Sequence, residues 1–256
     1  MSGILIGTLC SGSKGNCTLV KSRDSAILID AGRSTKYIKS ALATVGLLPE
    51  DIDAIFLTHS HSDHVSALKV WSSHYHTPVH ASSSVCGDVV SKCGEVLVSH
   101  PVFFEERVGD LLIKSFPTDH DVFGSVGYRI EVGGISLGIA TDLGHVTDHV
   151  KTGLRGCRAA VIESNHDVDM LLRGPYPPEL KQRILSRFGH LSNESGAEFA
   201  RFLADNGAEK LMLAHLSEIN NTPELAKKAS VSALHGILDR VELAVSEPAE
   251  PVLFSF

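Results

Sequence analysis

The sequence has no apolar run near the roughly 20 residues that a bilayer-spanning helix needs. Its start, Met1 to Leu9, carries no basic segment ahead of its apolar residues, so no secretory leader is expected. Positive charge is also short: 23 Lys and Arg stand against 30 Asp and Glu, a formal net charge of −7. That balance weighs against a chain that holds nucleic acid by bulk charge. Its five cysteines (Cys10, Cys17, Cys86, Cys93, Cys157) are odd in number and never spaced C-x-x-C, which excludes a disulfide framework or a cysteine-type zinc site and leaves reduced thiols. There is no repeat, low-complexity tract or linker, so residues 1–256, 43% of them hydrophobic, predict a single globular domain in the cytoplasm. The one surplus is histidine, with 14 copies, a favoured ligand of transition metals.

Three of those histidines crowd into Leu57-Thr58-His59-Ser60-His61-Ser62-Asp63-His64-Val65. The stretch follows the apolar run 52–57, which reads as a buried strand. Polar groups at strand ends are where α/β proteins build metal sites. In extended chain His59 and His61 point to one side and can share an ion. Asp63 and His64 are adjacent and converge only through a turn, so they face a second ion beside the first.

The rest of the chain repeats this theme of strands ending in polar residues. Strands are predicted at 4–9 and 17–21, joined by Cys10-Ser11-Gly12-Ser13-Lys14-Gly15-Asn16, which suits a tight turn and also a phosphate held on backbone N–H groups and Lys14. Strand 26–29 ends at Asp30, either a turn former or a group that orients a ligating histidine. Ser34 is placed to cap a helix that Gly46 stops, and Val65, Leu68 and Trp71 mark a helix behind the histidine cluster. A strand at 78–81 and a helix to about Lys92 follow. Three more strands, 111–116, 126–132 and 135–140, deliver His120 and Asp142, the last two joined at Gly133-Gly134. Strand 159–162 delivers Glu163, and strand 210–214 delivers His215. Helices are predicted at 177–188 and 194–206, the second capped by Asn193. Another runs from Thr222 to about Leu238, before a final strand at 241–245. His74, His76, His80 and His100 lack ligand spacing and read as structural or solvated, and His145, His149 and His235 are assigned no role.

The pattern His59-x-His61-x-Asp63-His64, with His120, Asp142 and His215 each after a strand, resembles the metallo-β-lactamase fold family. That resemblance implies an α/β protein with an αββα four-layer sandwich. Ser11-Gly12-Ser13-Lys14-Gly15-Asn16, the stretch from Glu163 to Leu171, Gly189-His190-Leu191-Ser192-Asn193 and His215-Leu216-Ser217 resemble the YycJ/WalJ branch. This branch is similar to the tRNA 3′-processing and β-CASP nucleases and is associated with 5′-to-3′ exonuclease action on double-stranded DNA. Carried over by position, the resemblance implies two divalent ions of Zn, Mn or Fe, one on His59, His61 and His120, the other on Asp63, His64 and His215, with Asp142 bridging. A hydroxide between the ions, oriented by Asp63, would attack phosphorus in line. Glu163 and His190 would protonate the leaving oxygen, while His166 either touches substrate or braces its loop. A small-molecule hydrolase of the same fold, a cyclic phosphodiesterase or a glyoxalase II-like thioesterase, is the alternative. A sulfur leaving group needs no protonation, so the Glu–His pair favours a phosphoester. A catalytically dead adaptor is disfavoured by the complete ligand set. Lys14, Arg33, Lys36, Lys39, Arg173, Lys181, Arg183 and Arg187 either line a groove for DNA or cover solvated helix faces.

Overall fold

The computed structural model describes residues 3–256, so Met1 and Ser2 of the apolar start lie outside the described residues. Along the chain the elements are β1 (Leu5–Cys10), β2 (Cys17–Lys21), β3 (Ala26–Ile29), α1 (Thr35–Thr44), β4 (Ala54–Phe56), α2 (Ser62–Val65), α3 (Leu68–Tyr75), β5 (Val79–Ser82), α4 (Ser83–Cys93) and β6 (Leu97–His100). They continue as β7 (Glu105–Val108), β8 (Leu111–Pro117), β9 (Val126–Val132), β10 (Ile135–Ala140), α5 (Asp148–Leu154), β11 (Ala159–Glu163), α6 (Val168–Arg173), α7 (Pro178–Ile184), α8 (Asn193–Asp205), β12 (Lys210–Ala214), α9 (Pro223–Ala233), β13 (Glu242–Val245) and β14 (Val252–Ser255).

Two seven-stranded sheets result, in the orders β14-β1-β2-β3-β4-β5-β6 and β13-β12-β11-β10-β9-β8-β7. In each, an antiparallel run gives way to parallel strands: β3 to β6 in the first sheet, β10 to β13 in the second. Alternation along the strands sets the layers, because successive side chains leave opposite faces. On β3, Ile27 and Ile29 join the core between the sheets, with Phe56, Tyr128 and Met212. Ala26 and Leu28 instead face outward beneath α1, α3 and α4, among Ile38, Trp71 and Val89. The second sheet has a matching outer core under α5, α8 and α9, built on Leu154, Phe199 and Leu203. Helix, sheet, sheet, helix is the αββα sandwich.

β3 and β4 are parallel, as are β10, β11 and β12, and β8 shares the direction of β10 across two antiparallel steps. Their C-terminal ends therefore open on one edge of the sandwich. Two contacts between the sheets tie that edge together: the Tyr128 hydroxyl donates to the Leu57 carbonyl at 2.5 Å, and Val126 N–H donates to the Thr58 carbonyl at 3.0 Å.

Several boundaries differ from the sequence-based expectation. The helix expected to reach Phe188 ends at Ile184, because residues 186–189 fold back on it. A Cβ on Gly189 would stand 2.1 Å from the Ile184 carbonyl oxygen, and His190 N–H donates to that same oxygen at 3.0 Å. α8 is capped by Ser192, whose Oγ accepts from Ser195 N–H at 3.2 Å. Asn193 instead exchanges amide hydrogen bonds with Asn221. α9 stops at Ala233 rather than Leu238, ahead of the left-handed Gly236. The helix behind the histidine cluster is broken into α2 and α3. β13 is not the last strand, since β14 pairs antiparallel with β1. β6 and β7 escaped the sequence reading because, as edge strands, they are only half-buried and show no apolar run.

Candidate metal centre

All seven residues expected to bind metal converge at the open edge. His59 follows β4, His120 follows β8, Asp142 follows β10 and His215 follows β12, while His61 precedes α2 and Asp63 and His64 lie in its first turn. His59 Nε2 is 3.0 Å from His61 Nδ1, which is 3.4 Å from His120 Nε2. Asp63 Oδ2 is 3.5 Å from both His64 Nε2 and His215 Nε2. Asp142 lies between the two sets, Oδ2 at 3.4 Å from His64 Nε2 and Oδ1 at 3.5 Å from His215 Nε2 and 3.8 Å from His120 Nε2. Donors held about 2.0–2.1 Å from one tetrahedral ion stand roughly 3.3 Å apart, so each set fits around one ion with Asp142 able to reach both. Asp142 Oδ2 and His215 Nε2 are buried without a hydrogen-bond partner, a costly state in a protein interior that bound cations relieve. The nitrogen and oxygen donors suit Zn, Mn or Fe alike.

The remaining ring nitrogens have acceptors that fix each imidazole, as metal-binding histidines require. His64 Nδ1 donates to Asp30 at 2.7 Å, and the same carboxylate accepts from Thr58 N–H and Oγ1, both at 2.8 Å. Asp30 is therefore the orienting group, not merely a turn former. His120 Nδ1 donates to the Gly189 carbonyl at 3.3 Å and His215 Nδ1 to Glu163 at 3.0 Å. His61 Nε2 is 3.3 Å from Asp121 Oδ1, and Asp121 Oδ2 accepts from Arg183 Nε at 2.7 Å. The sequence reading missed Asp121; its signal was a carboxylate directly after a strand-end histidine. Asp30, Asp142 and His215 all adopt the left-handed conformation, at φ 63°, 59° and 59°, so the backbone itself is bent to aim them.

The electrostatics follow from packing charges where water is scarce. Burial pushes the His59 imidazole well down, with His64 adding to it. Burial also opposes charge on His64, yet Asp142 and Asp30 beside it carry it up to about 10. Against burial, His215 and His64 hold the Asp142 carboxyl well below the usual range.

Glu163, at the end of β11, is fully buried and uses both oxygens twice. Oε2 accepts from Leu143 N–H at 2.8 Å and Leu191 N–H at 3.1 Å. Oε1 accepts from His190 Nδ1 at 2.8 Å and His215 Nδ1 at 3.0 Å. Four donors saturate a carboxylate, so Glu163 has no lone pair for an ion. Burial would raise its carboxyl, but His190 and His215 hold it at about 2.

His61, Asp63, His120, Asp142, His190 and His215 line a cleft together with Tyr176, Leu180, Ile184 and Phe188. The loop 11–16 braces the centre. Asn16 Nδ2 donates to Asp63 Oδ2 at 3.2 Å, and Ser11 Oγ accepts from His215 N–H at 2.7 Å. Lys14 is paired with Glu218 at 2.5 Å. Of the basic residues weighed for a groove, only Arg183 reaches the cleft, and it is paired with Asp121, as Arg187 is with Asp119 at 3.0 Å. Arg33 and Lys39 lie over the rings of Tyr37 and Tyr75. His166 is buried with neither ring nitrogen hydrogen-bonded, and it is not among the residues that line the cleft. His80 and His100 face each other ring edge to ring edge, nitrogens 2.9 Å and centroids 5.2 Å apart, an N–H···N bond rather than a shared ion. All five cysteines are buried and unpaired.

Residues 11–162 match the family profile of the metallo-beta-lactamase superfamily. The chain is 38% identical to the exodeoxyribonuclease WalJ of Streptococcus pneumoniae serotype 2 (strain D39 / NCTC 7466), over 91% of this chain and 88% of that one. It is 32% identical to the exodeoxyribonuclease YycJ of Bacillus anthracis, over 99% of both chains. The crystal structure of the metallo-beta-lactamase fold protein YhfI from Bacillus subtilis superposes with a TM-score of 0.76 at 16% identity, covering 98% of this chain and 99% of that one.

Proposed function

The chain belongs to the metallo-β-lactamase superfamily and its WalJ/YycJ branch, and we propose that it is a 5′-to-3′ exonuclease on DNA that works at a dinuclear centre. The observation that carries the phosphoester chemistry is the pair His190 Nδ1 to Glu163, 2.8 Å apart at the wall of the cleft. Cleaving a phosphodiester expels an alkoxide that needs a proton, and a placed acid contributes about 10²–10⁴-fold. A thioester would leave the pair without a task.

Two divalent ions, held by His59, His61 and His120 and by Asp63, His64 and His215 with Asp142 between, would supply a nucleophile at neutral pH and neutralise charge on the phosphate. The protein's own groups do the rest. Glu163, fixed by two backbone N–H groups, accepts a hydrogen bond from His190 Nδ1–H, which stays on the ring; the doubly protonated ring gives its Nε2 proton to the leaving oxygen and ends as neutral imidazole. Asp63, steadied by Asn16, aims the attacking water. Arg183, lining the cleft, meets a substrate phosphate by exchanging Asp121 for it. We further read residues 1–256 as one domain and place it in the cytoplasm, where five free thiols stay reduced.

The experiment is incubation of Zn- or Mn-loaded protein with end-labelled single- and double-stranded DNA and RNA. Release of mononucleotides from the 5′ end of DNA is expected. Intact DNA beside brisk hydrolysis of a thioester or a small cyclic phosphodiester would overturn the reading in favour of a small-molecule hydrolase.

A further inference from the structure

Phe123 is the most exposed large apolar side chain among the described residues, at 86%. Its position ties it to the cleft: two peptide steps of 3.80 Å keep its Cα within about 7.6 Å of that of Asp121, the residue that contacts His61 and Arg183. The loop does not leave the ring free to fold inward. Val122 packs on the outer core of the first sheet. Ser125 Oγ donates to the Val122 carbonyl at 2.6 Å, Ser82 Oγ donates to the Gly124 carbonyl at 2.7 Å, and Thr118 N–H donates to the Ser125 carbonyl at 3.0 Å. With both neighbours anchored, the side chain is held out in solvent. The other exposed phenylalanines have partners: Phe103 faces the His149 ring at 5.4 Å, and Phe188 lies under the Arg187 guanidinium at 5.1 Å. Phe123 has no aromatic or cationic partner among the described residues.

Resting on the nuclease reading, we propose that Phe123 is an end-recognition residue that stacks on the terminal base of a DNA duplex and holds that end at the cleft. An aromatic face stacks on any base and so suits an enzyme that must accept every sequence, and apolar side chains inserted at base steps unstack them. Among the cleft's lining, Tyr176, Leu180 and Phe188 are apolar or aromatic and Arg183 is the one Lys or Arg; a cation on one phosphate does not tell an end from the interior of a duplex, which a stacked terminal base does.

The test compares wild type, Phe123→Ala and Phe123→Trp on a blunt duplex, the same duplex with an abasic terminal nucleotide, and bis(p-nitrophenyl) phosphate, with metal content measured for each. Phe123→Ala should lower kcat/KM on the intact duplex roughly tenfold, with metal content and bis(p-nitrophenyl) phosphate hydrolysis unchanged, and Phe123→Trp should retain the wild-type rate. On the abasic end wild type should fall to the level of the alanine variant, which loses nothing further. The proposal is overturned if Phe123→Ala cuts the intact duplex like wild type, or if it loses as much on bis(p-nitrophenyl) phosphate. Either result, with wild type still degrading DNA, leaves the nuclease reading standing. Wild type that degrades no DNA removes both.

Discussion

Glu163 holds two histidines with one oxygen, His190 at 2.8 Å and His215 at 3.0 Å, so the proposed proton donor and a proposed metal ligand share a support. Their variants should therefore separate. His190→Ala should keep both ions and lose about 10²–10⁴-fold on DNA, but far less on bis(p-nitrophenyl) phosphate, whose leaving group needs no proton. Glu163→Ala should lose rate and metal together, because His215 is released as well. Metal analysis alongside both assays decides it; equal losses of His190→Ala on the two substrates would remove His190 from the acid role. Asp121→Ala should weaken metal affinity about 10–100-fold by freeing the His61 ring, read by titration with a chelator. The seven candidate donors were legible because His59, His61, Asp63 and His64 crowd together behind one apolar strand, and His120, Asp142 and His215 each follow another. Asp121 and the shared use of Glu163 were not, since which nitrogen meets which carboxylate depends on strands far apart in sequence.

At the scale of elements, the centre depends on the close approach of the loop 11–16, the start of α2 and the bend after β3. Gly32 makes that approach possible: an added Cβ would stand 1.6 Å from the Asp63 carbonyl oxygen and 2.6 Å from Asn16 N. Gly32→Ala should push α2 away, cost on the order of 1–3 kcal/mol as crowding in a packed interior does, and reduce bound metal from two ions toward one, with the His59, His61 and His120 set retained. Urea unfolding and metal analysis measure the two effects. The central strands and most helices could be read from periodicity, because both sheets are buried on two faces. The edge strands β6 and β7 could not, and the end of α7 was hidden by the reversal at Gly189, a tertiary contact without a periodic trace.

For the whole molecule, the centre couples pH to stability. Without ions, Asp63 and Asp142 are held below the ordinary carboxylate value of 3.8, so their contribution is present above it and is lost as the pH falls. His64, carried from 6.5 up to about 10, contributes fully below 6.5 and loses that contribution as the pH rises through 10. Burial holds His59, His80, His120 and His166 below 6.5, so these four cost stability as the pH falls beneath that value, and metal-free protein should resist urea best near pH 6.5 and weaken both toward acid and toward pH 10. Ions must displace the protons on His64 and His215, so the rise in Tm on adding Zn should grow from pH 6 to pH 8. A gain in Tm independent of pH would argue that the ions bind elsewhere. The overall charge of −7 was the weakest guide to function, since it does not register the charge that bound ions would add at one edge.

Each set of donors draws on both sheets, His59 and His61 with His120, and Asp63 and His64 with His215. On a ribosome, the residues contributed by the first sheet emerge well before the second sheet exists. A chain made only as far as β6 therefore presents donors but a complete set for neither ion, and His215 is the last donor to appear. Hydrolytic activity would switch on only after β12 has paired, so the order of synthesis itself would keep an unfinished hydrolase inert.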